Sequence, residues 1–250
     1  MNNYRVWDID KKYGDLFCDR AIGKLPEMEC SKALCKILKP IYKSGMKVLD
    51  VGCGGGHYLK SLKDRLDNNI NYTGVDATEY YIKLANDVFS SYHFEVGDIH
   101  KLQFVDNSFD IVMCNNVIQH LPPPPKKAIS ELLRTSSKYV VFRTLFAKRN
   151  YIIKEVKDTS DGLNDSFDLT NPFDYKGNPV VWNYMNLYTE EYLENIILGI
   201  NPDYNITFVP DNFWNELETK ADSKTATEVV EGKQVSGNII LDWKFIIVEK

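Results

Sequence analysis

A cluster of glycines behind an aspartate carries the clearest chemical signal in this sequence. Asp50 is followed by Gly52, Gly54, Gly55 and Gly56. Glycine has no Cβ, so the backbone of such a turn can approach a ligand closely. The residues after the turn begin a helical pattern, and the first N–H groups of a helix lack intrahelical partners. The turn therefore predicts a cradle for a nucleotide-like ligand.

The spacing of the glycines excludes two common phosphate-binding turns. In the dinucleotide pattern G-x-G-x-x-G, the third glycine would fall at His57 or at Leu59, depending on where counting starts. The pattern G-x-x-x-x-G-K-[ST] needs a lysine and a hydroxyl residue after its last glycine, whereas Gly56 is followed by His57 and Tyr58. Neither pattern fits this chain.

The aspartate and alternating glycines of this turn resemble the first motif of the class I S-adenosylmethionine-dependent methyltransferases. Three further segments resemble later motifs of that family and follow in the same order, at residues 74–77, 96–99 and 109–121. The resemblance extends over about residues 47–142. It implies a seven-stranded Rossmann-like fold, with S-adenosylmethionine as the cofactor and S-adenosylhomocysteine as the product.

The resemblance implies a role for three aspartates. Asp50 would accept from the ammonium group of the cofactor, Asp76 from its ribose hydroxyls, and Asp98 from its adenine amine, with Ala77 and Ile99 in apolar contact. The other cofactor contacts that it implies are Gly52, Cys53, Gly54, Gly56 and Asn115. Aspartate is also common in turns at strand ends, so Asp76 and Asp98 keep a purely structural alternative.

The hydrophobic pattern predicts the strands and helices that must position these residues. Short apolar runs separated by helical stripes lie at residues 48–51, 71–75, 94–96, 109–114 and 139–142. Strands that alternate with helices predict a parallel sheet with right-handed crossovers and helices on both faces. Every aspartate assigned above then lies at the carboxyl end of a strand, where ligands of such sheets bind.

Two later apolar runs, at residues 206–209 and 239–248, are also predicted to be strands. By the resemblance, they form the antiparallel pair that closes the sheet. The predicted fold is α/β, with a doubly wound, mostly parallel seven-stranded sheet and an antiparallel last strand. A chain of 250 residues suits one such domain. Its predicted parts are an N-terminal helical cap (1–40), a cofactor-binding core (47–143), a lid insertion (144–190), and a final helix with the closing strands (191–250).

The cap and the lid are expected to select the acceptor. Tyr4, Trp7 and Tyr13 of the cap either close the pocket or pack the first helix on the sheet. Residues 144–188 far exceed the ~2–6 residues usual for a connection in an α/β unit, and their many aromatic side chains argue against disorder. We interpret this span as an acceptor-binding lid. The candidate acceptor-binding residues are Tyr13, Arg149, Trp182 and Tyr184.

His120, in the loop after the predicted fourth strand, is the candidate catalytic residue. The implied reaction is an in-line displacement, in which an oxygen or nitrogen of a small-molecule acceptor attacks the methyl carbon opposite the sulfonium. A hydroxyl acceptor benefits from a general base, and histidine can act as one near neutral pH. Tyrosines of the lid are competing candidates. Two alternatives are an aminopropyl-type transferase, which uses a related cofactor, and an inactive cofactor-binding partner subunit.

The sequence leaves the acceptor open among sugars, nucleotide-linked sugars, aromatic metabolites and amines. Arg143, Lys148 and Arg149 are close enough in sequence to bind a phosphorylated acceptor, although an exposed, solvated cluster is the simpler interpretation. The chain has 30 basic and 35 acidic residues and a net charge of -5, which disfavours nucleic acid as a partner.

The sequence also predicts no membrane span, no disulfide framework and no metal site. No apolar run approaches the ~20 residues of a membrane span, and no signal-peptide pattern is present, so a cytoplasmic location without a membrane partner is expected. The five cysteines form no C-x-x-C pair and the four histidines share no i, i+4 spacing. The oligomeric state is not specified by the sequence.

Overall fold

A central β-sheet flanked by helices organises the chain. The computed structural model of the protein describes residues 6–8, 11–159, 167–211, 228–230, 233–236 and 239–250. The helices are α1 (Lys11–Ala21), α2 (Glu29–Leu38), α3 (His57–Arg65), α4 (Glu79–Val88), α5 (Lys126–Thr135) and α6 (Glu190–Leu198). The strands are β1 (Lys47–Val51), β2 (Asn71–Asp76), β3 (His93–Val96), β4 (Phe109–Asn115), β5 (Ser136–Phe146), β6 (Lys154–Val156), β7 (Trp182–Tyr184), β8 (Asn205–Pro210), β9 (Glu228–Val230), β10 (Lys233–Ser236) and β11 (Ile239–Glu249). Short 3₁₀ turns lie at Val6–Asp8 and Ile118–His120.

The strand order confirms the predicted fold class. Seven strands lie side by side in the order β3-β2-β1-β4-β5-β11-β8. The pairs formed among β1 to β5 are parallel, whereas β11 runs antiparallel to both β5 and β8. The long last strand therefore closes a mostly parallel sheet, as the sequence predicted.

The register of the central strands brings three polar residues to one edge of the sheet. Asp50 of β1 pairs with Gly74 of β2 on one side and with Met113 of β4 on the other. Asp76 is the last residue of β2, and Asn115 is the last residue of β4. The strand order reverses at β1, between β2 and β4, which is where ligands bind in open α/β sheets.

Both faces of the sheet are covered by apolar layers. Val112 of β4 packs with Leu132 of α5 and Ile197 of α6 on one face. Ile111, the preceding residue of the same strand, packs with Leu34 of α2 on the other face. Successive strand residues point to opposite faces, so a strand that is buried on both sides reads as a continuous apolar run. This explains why the sequence predicted β4 without an alternating pattern.

Three features go beyond the predicted elements. The fifth strand continues past residue 142 to Phe146, because its last residues pair with β11. β9 and β10 form an antiparallel extension on the first residues of β11, and β6 pairs with β7 in a separate ribbon within the predicted lid. Strands of three or four residues contain too little alternation to be recognised in a sequence.

Replacement of Gly52 by alanine is expected to destabilise the fold more than the same replacement at Gly45. Both glycines have a positive φ, of 83° and 86° respectively, which costs an alanine about 1–2 kcal/mol. A Cβ on Gly52 would lie 2.2 Å from Cγ2 of Val117, whereas a Cβ on Gly45 would meet no atom within 4 Å. Gly52→Ala should therefore lose about 1–3 kcal/mol more than Gly45→Ala in urea unfolding. Equal losses would show that Val117 moves aside without cost.

Candidate functional site

The glycine turn is tied to the end of β2. The backbone N–H groups of Gly52 and Cys53 both donate to the carbonyl oxygen of Val75, at 2.7 and 3.1 Å. The N–H of Gly54 donates to Oδ2 of Asp76 at 2.9 Å. Gly56 then adopts a left-handed conformation directly before α3. These bonds hold the turn and the start of α3 at the carboxyl edge of the sheet.

The glycines also let the protein pack closely around the turn. A Cβ on Gly54 would lie 3.2 Å from the ring of Phe17, and a Cβ on Gly55 would lie 3.2 Å from the backbone nitrogen of Cys18. Both neighbours belong to α1. The helix of the predicted cap therefore lies directly on the glycine turn.

Asp76 lies at the open end of the site. Besides Gly54, the N–H of Thr78 donates to its carboxylate, at 2.9 Å to Oδ1. Ala77 beside it is exposed. A carboxylate oxygen can accept more than one hydrogen bond, so the expected ribose hydroxyls can add to those already present. The two backbone bonds fix the carboxylate in one orientation at this edge.

Asp50 is fully buried, with 0% exposure. Its Oδ2 accepts from the hydroxyl of Tyr72 at 2.7 Å, while Oδ1 has no hydrogen-bond partner among the described residues. Burial raises the pKa of Asp50 from 3.8 to about 7, partly opposed by the Tyr72 bond and reinforced by the charge of Asp76. A cation bound at Oδ1 would stabilise the ionised carboxylate.

Asn115 adds two more unsatisfied atoms at the same edge. Asn115 is only 3% exposed, and neither its Oδ1 nor its Nδ2 has a hydrogen-bond partner within the described ranges. Leaving a buried polar group unpaired costs about 1–3 kcal/mol. Together with Oδ1 of Asp50, the amide supplies both a donor and acceptors. This set fits the ammonium and carboxylate of an amino acid, which is the end of the cofactor that the resemblance assigns to Asp50.

The predicted adenine contacts lie near the surface. The side chain of Asp98 is 68% exposed, and its Oδ1 accepts from the backbone N–H of His100 at 2.8 Å. Ile99 is buried beside it. This turn with His100 is the structural alternative that the sequence left open. The carboxylate of Asp98 is also accessible to a ligand.

The N-terminal segment contacts both the cofactor end and His120. The ring of Trp7 lies 5.1 Å from that of Tyr13 and 5.0 Å from that of His120. Asp8 accepts from the hydroxyl of Thr78 at 3.0 Å, beside the predicted ribose site. Trp7 and Tyr13 therefore lie over the edge of the sheet, whereas Tyr4 falls outside the described residues.

His120 is held in one tautomer by the lid. Its Nδ1 lies 2.6 Å from the carbonyl oxygen of Tyr184, which can only accept, so Nδ1 carries the proton and Nε2 the lone pair. Burial lowers the pKa of His120; the carbonyl of Tyr184 and the charge of Glu155 oppose this shift, and Lys157 adds to it. The imidazole is therefore a neutral base at pH 7.

The β6–β7 ribbon of the predicted lid has two faces, and the candidate acceptor-binding residues Trp182 and Tyr184 lie on one of them. In the β6–β7 ribbon, Trp182 and Tyr184 share one face, opposite Val156 and Lys154. The other face holds Glu155 and Asn183, whose amide donates to Oε2 of Glu155 at 2.9 Å.

Glu155 and Lys157 both act electrostatically on His120, so this second face is directed towards the imidazole. Lys157 is buried and lies 3.1 Å from Glu155. Sequence reasoning missed these residues, because only the pairing of β6 with β7 reveals which side chains share a face. Trp182 has Lys154 stacked on it at 4.8 Å, and Arg149 is exposed at the beginning of the lid.

The burial of Arg143 contradicts the prediction that Arg143, Lys148 and Arg149 form an exposed cluster. Its side chain is 2% exposed and lies 2.6 Å from Asp211, while Nη1 donates to Oδ1 of Asn116 at 2.5 Å. The guanidinium stacks on Trp243 at 3.9 Å. Asn116 in turn donates to the hydroxyl of Tyr58 at 3.1 Å. Arg143 therefore holds the loop after β4 from inside the protein. It is buried because it lies within β5, which extends further than the sequence predicted.

Neither a membrane-spanning helix nor a metal-binding cluster is found in the described ranges. None of their helices combines the length and the apolar character that a membrane crossing requires. In the same ranges, no three histidine, cysteine, aspartate or glutamate side chains converge as they would around a metal ion.

Comparison with known proteins identifies a matching family. Residues 42–186 match a family described as a methyltransferase domain. Phosphoethanolamine N-methyltransferase 2 of Caenorhabditis elegans is 27% identical over 52% of this chain and 34% of its own length. The ubiquinone biosynthesis O-methyltransferase of Idiomarina loihiensis is 34% identical over 40% of this chain and 43% of its own length. The chain thus spans 34% and 43% of the lengths of these two curated relatives.

Solved structures share the fold over nearly the whole chain. A putative methyltransferase of Haloferax volcanii, in complex with the Trm112 methyltransferase activator, covers 98% of this chain and 96% of its own, with a TM-score of 0.60 and 14% identity. Magnesium protoporphyrin IX methyltransferase of Synechocystis with bound S-adenosylmethionine covers 100% of this chain and 98% of its own, with a TM-score of 0.58 and 14% identity. At this identity the similarity establishes the fold alone.

Replacement of Asp50 by asparagine should change the pH dependence of stability. The folded-state pKa of Asp50 is raised, so its contribution to stability is full below about pH 4 and is lost as the pH rises towards about 7. The stability of Asp50→Asn relative to the natural protein should therefore rise between pH 4 and 7, by up to about 1.4 kcal/mol per pH unit, and then level off. Urea unfolding at several pH values measures this difference. A difference that does not vary with pH would mean that Asp50 ionises normally.

Proposed function

The chain belongs to the class I S-adenosylmethionine-dependent methyltransferases, since the matched family extends over residues 42–186 of 250, and from this premise we propose that it methylates an oxygen or nitrogen of a small molecule. The observation that carries this proposal is the group of unsatisfied polar atoms on Asp50 and Asn115 beside the glycine turn. Their chemistry fits the amino acid end of S-adenosylmethionine, and Asp76 is proposed to accept from its ribose.

The two ends of the proposed cofactor site differ in exposure. Asp50 and Asn115 are buried, whereas Ala77 and Asp98 are exposed. The adenosine half would therefore lie towards the surface and the amino acid half inside the protein. When bound, S-adenosylmethionine supplies an electrophilic methyl group, which an acceptor lone pair attacks in line with the leaving sulfur. Exclusion of water at the buried end strengthens the polar contacts made there.

His120 is proposed to receive the proton of the acceptor. The bond from Nδ1 to the carbonyl of Tyr184 leaves Nε2 as the basic atom, and contact with Trp7 orients the ring. A base that is neutral at physiological pH suits a hydroxyl acceptor, whose proton must leave as the new bond forms. A nitrogen acceptor with a free lone pair depends less on this residue.

Side chains of the cap and of the lid near His120 are proposed to select a small acceptor. Trp7 and Tyr13 supply aromatic surface from the cap, and Glu155 and Asn183 supply polar groups from the inner face of the lid. The net charge of -5 supports a small molecule rather than a nucleic acid. Incubation with methyl-labelled cofactor and a metabolite extract, followed by mass spectrometry of the labelled products, would identify the acceptor.

Calorimetric titration with S-adenosylmethionine tests the cofactor assignment. The protein should bind the cofactor, and Asp76→Ala should weaken binding about 10- to 100-fold, because it removes a charge-assisted acceptor of hydrogen bonds. Asp87→Ala, which removes an exposed carboxylate of α4, is the matched control and should bind normally. Absence of binding to the natural protein at high micromolar cofactor would refute the proposed function. Binding without any labelled product would instead favour an inactive cofactor-binding subunit.

Replacement of His120 by asparagine should separate catalysis from cofactor binding. The asparagine amide can still donate to the carbonyl of Tyr184, but it has no basic lone pair. With a hydroxyl acceptor, kcat should fall about 100-fold or more, while the Kd for S-adenosylmethionine changes little. Because burial lowers the pKa of His120, the natural enzyme should keep its rate to below pH 6.5.

His93→Asn on the exposed part of β3 is the control for this variant and should leave kcat unchanged. A His120→Asn enzyme with normal kcat for a hydroxyl acceptor would exclude the general-base role and direct attention to the tyrosines of the lid.

A further inference from the structure

A chain of polar contacts in the lid connects Glu155 to the group that orients His120. Nδ2 of Asn183 donates to Oε2 of Glu155 at 2.9 Å and also lies 3.4 Å from the carbonyl oxygen of Tyr184. The same carbonyl oxygen lies 2.6 Å from Nδ1 of His120, which donates to it. One amide of β7 therefore joins the carboxylate of β6 to the hydrogen-bond partner of the imidazole.

The carboxylate of Glu155 is also held from its other oxygen. Nζ of Lys157 lies 3.1 Å from Oε1 of Glu155. Lys157 is only 6% exposed and Asn183 only 3%, so both partners of the carboxylate are buried. A side chain that is fixed by buried neighbours keeps one position, and its charge then acts on an adjacent group from a constant place.

The charge of Glu155 favours the protonated form of the imidazole. Burial lowers the pKa of His120, whereas the carbonyl of Tyr184 and the charge of Glu155 raise it, and the charge of Lys157 lowers it further. The reciprocal effect agrees, because the charge of His120 helps to lower the pKa of Glu155. The two charged groups of the lid thus act on His120 in opposite directions.

The cap covers His120 with an uncharged ring. The ring of Trp7 lies 5.0 Å from that of His120, and the ring of Tyr13 lies 5.1 Å from that of Trp7. Asp8, the next residue, accepts from the hydroxyl of Thr78 at 3.0 Å. A substitution of a lid residue leaves these groups in place, so comparison with the natural protein isolates the contribution of the lid.

We propose that Glu155, held by Asn183 and Lys157, is a positioning residue for His120: its carboxylate offsets the positive charge that the imidazole acquires on taking a proton. The inference rests on the proposed function, in which Nε2 of His120 receives the proton of a hydroxyl acceptor. In that step the acceptor oxygen bonds to the methyl carbon, the methyl–sulfur bond breaks, and the O–H proton moves to Nε2. Positive charge then appears on a buried ring, where a nearby opposite charge favours it.

An NMR titration of the histidine rings, with neither cofactor nor acceptor present, tests this role. Glu155→Gln removes the charge but keeps an oxygen that can accept from Asn183. The titration midpoint of His120 should therefore fall, by about 0.5 pH unit, since the side chain of Glu155 is 42% exposed and solvent screens part of its charge. The spectrum of His120→Asn identifies the His120 signal among those of the four histidines.

The direction of the shift separates an electrostatic role from a structural one. A variant that only loosens the lid would admit water to the imidazole and raise the midpoint towards about 6.5, the ordinary pKa of histidine. A midpoint of His120 that Glu155→Gln raises or leaves unchanged would therefore overturn the inference. Glu95→Gln is the matched control, because Glu95 lies 3.1 Å from the exposed His93, and it should leave the midpoint of His120 where it is.

A second variant decides the question if Glu155→Gln does not fold. Lys157→Met removes the positive charge that opposes Glu155, so the midpoint of His120 should rise, and an unchanged or lower midpoint would contradict the inference. The proposed function fails by other measurements, namely absence of S-adenosylmethionine binding in calorimetry. A normal kcat of His120→Asn would remove the base that Glu155 serves and so overturn the inference as well.

Discussion

The hydrogen bonds between the glycine turn and the end of β2 are the constraint on which the site depends. The carbonyl of Val75 accepts from two consecutive residues of the turn, and the carboxylate of Asp76 accepts from Gly54. These bonds require a turn that curls back over the strand, which only positive φ angles at Gly52 and Gly54 allow. The same bonds orient α3 and the carboxylate of Asp76. A change in the turn therefore affects both the fold and the cofactor site.

The N-terminal segment contacts several parts of the predicted site. Phe17 stacks on His57 beside the glycine turn, and Trp7 contacts His120. Asp8 accepts from the hydroxyl of Thr78, two residues after Asp76. Trp7 also packs against Val181 in the lid. One stretch of chain thus contacts the glycine turn, the candidate base and the predicted lid.

The parts of the fold that the sequence predicted are those that local patterns encode. Short spacings predicted that Asp50, the glycine turn and Asp76 lie at strand ends, and apolar runs that end in turns predicted the seven strands. Glu155 was not predicted, because it lies far in sequence from His120, on which its charge acts. Arg143 was wrongly predicted to be exposed, because its partner Asp211 lies far away in the sequence. Tertiary contacts of the cap, the lid and the closing strands decide these positions.

Arg143 and Asp50 are both buried, but among the described residues only Arg143 has a partner of opposite charge. The charge of Arg143 is neutralised by Asp211 and shared with Asn116, so it needs no ligand. In the same ranges, Oδ1 of Asp50 has no hydrogen-bond partner, and burial raises the pKa of this carboxyl to about 7. Its ionised form therefore carries a desolvation cost, which a cationic group bound beside it would offset. The electrostatics at this end of β1 thus fit the ammonium group that the resemblance assigns to Asp50.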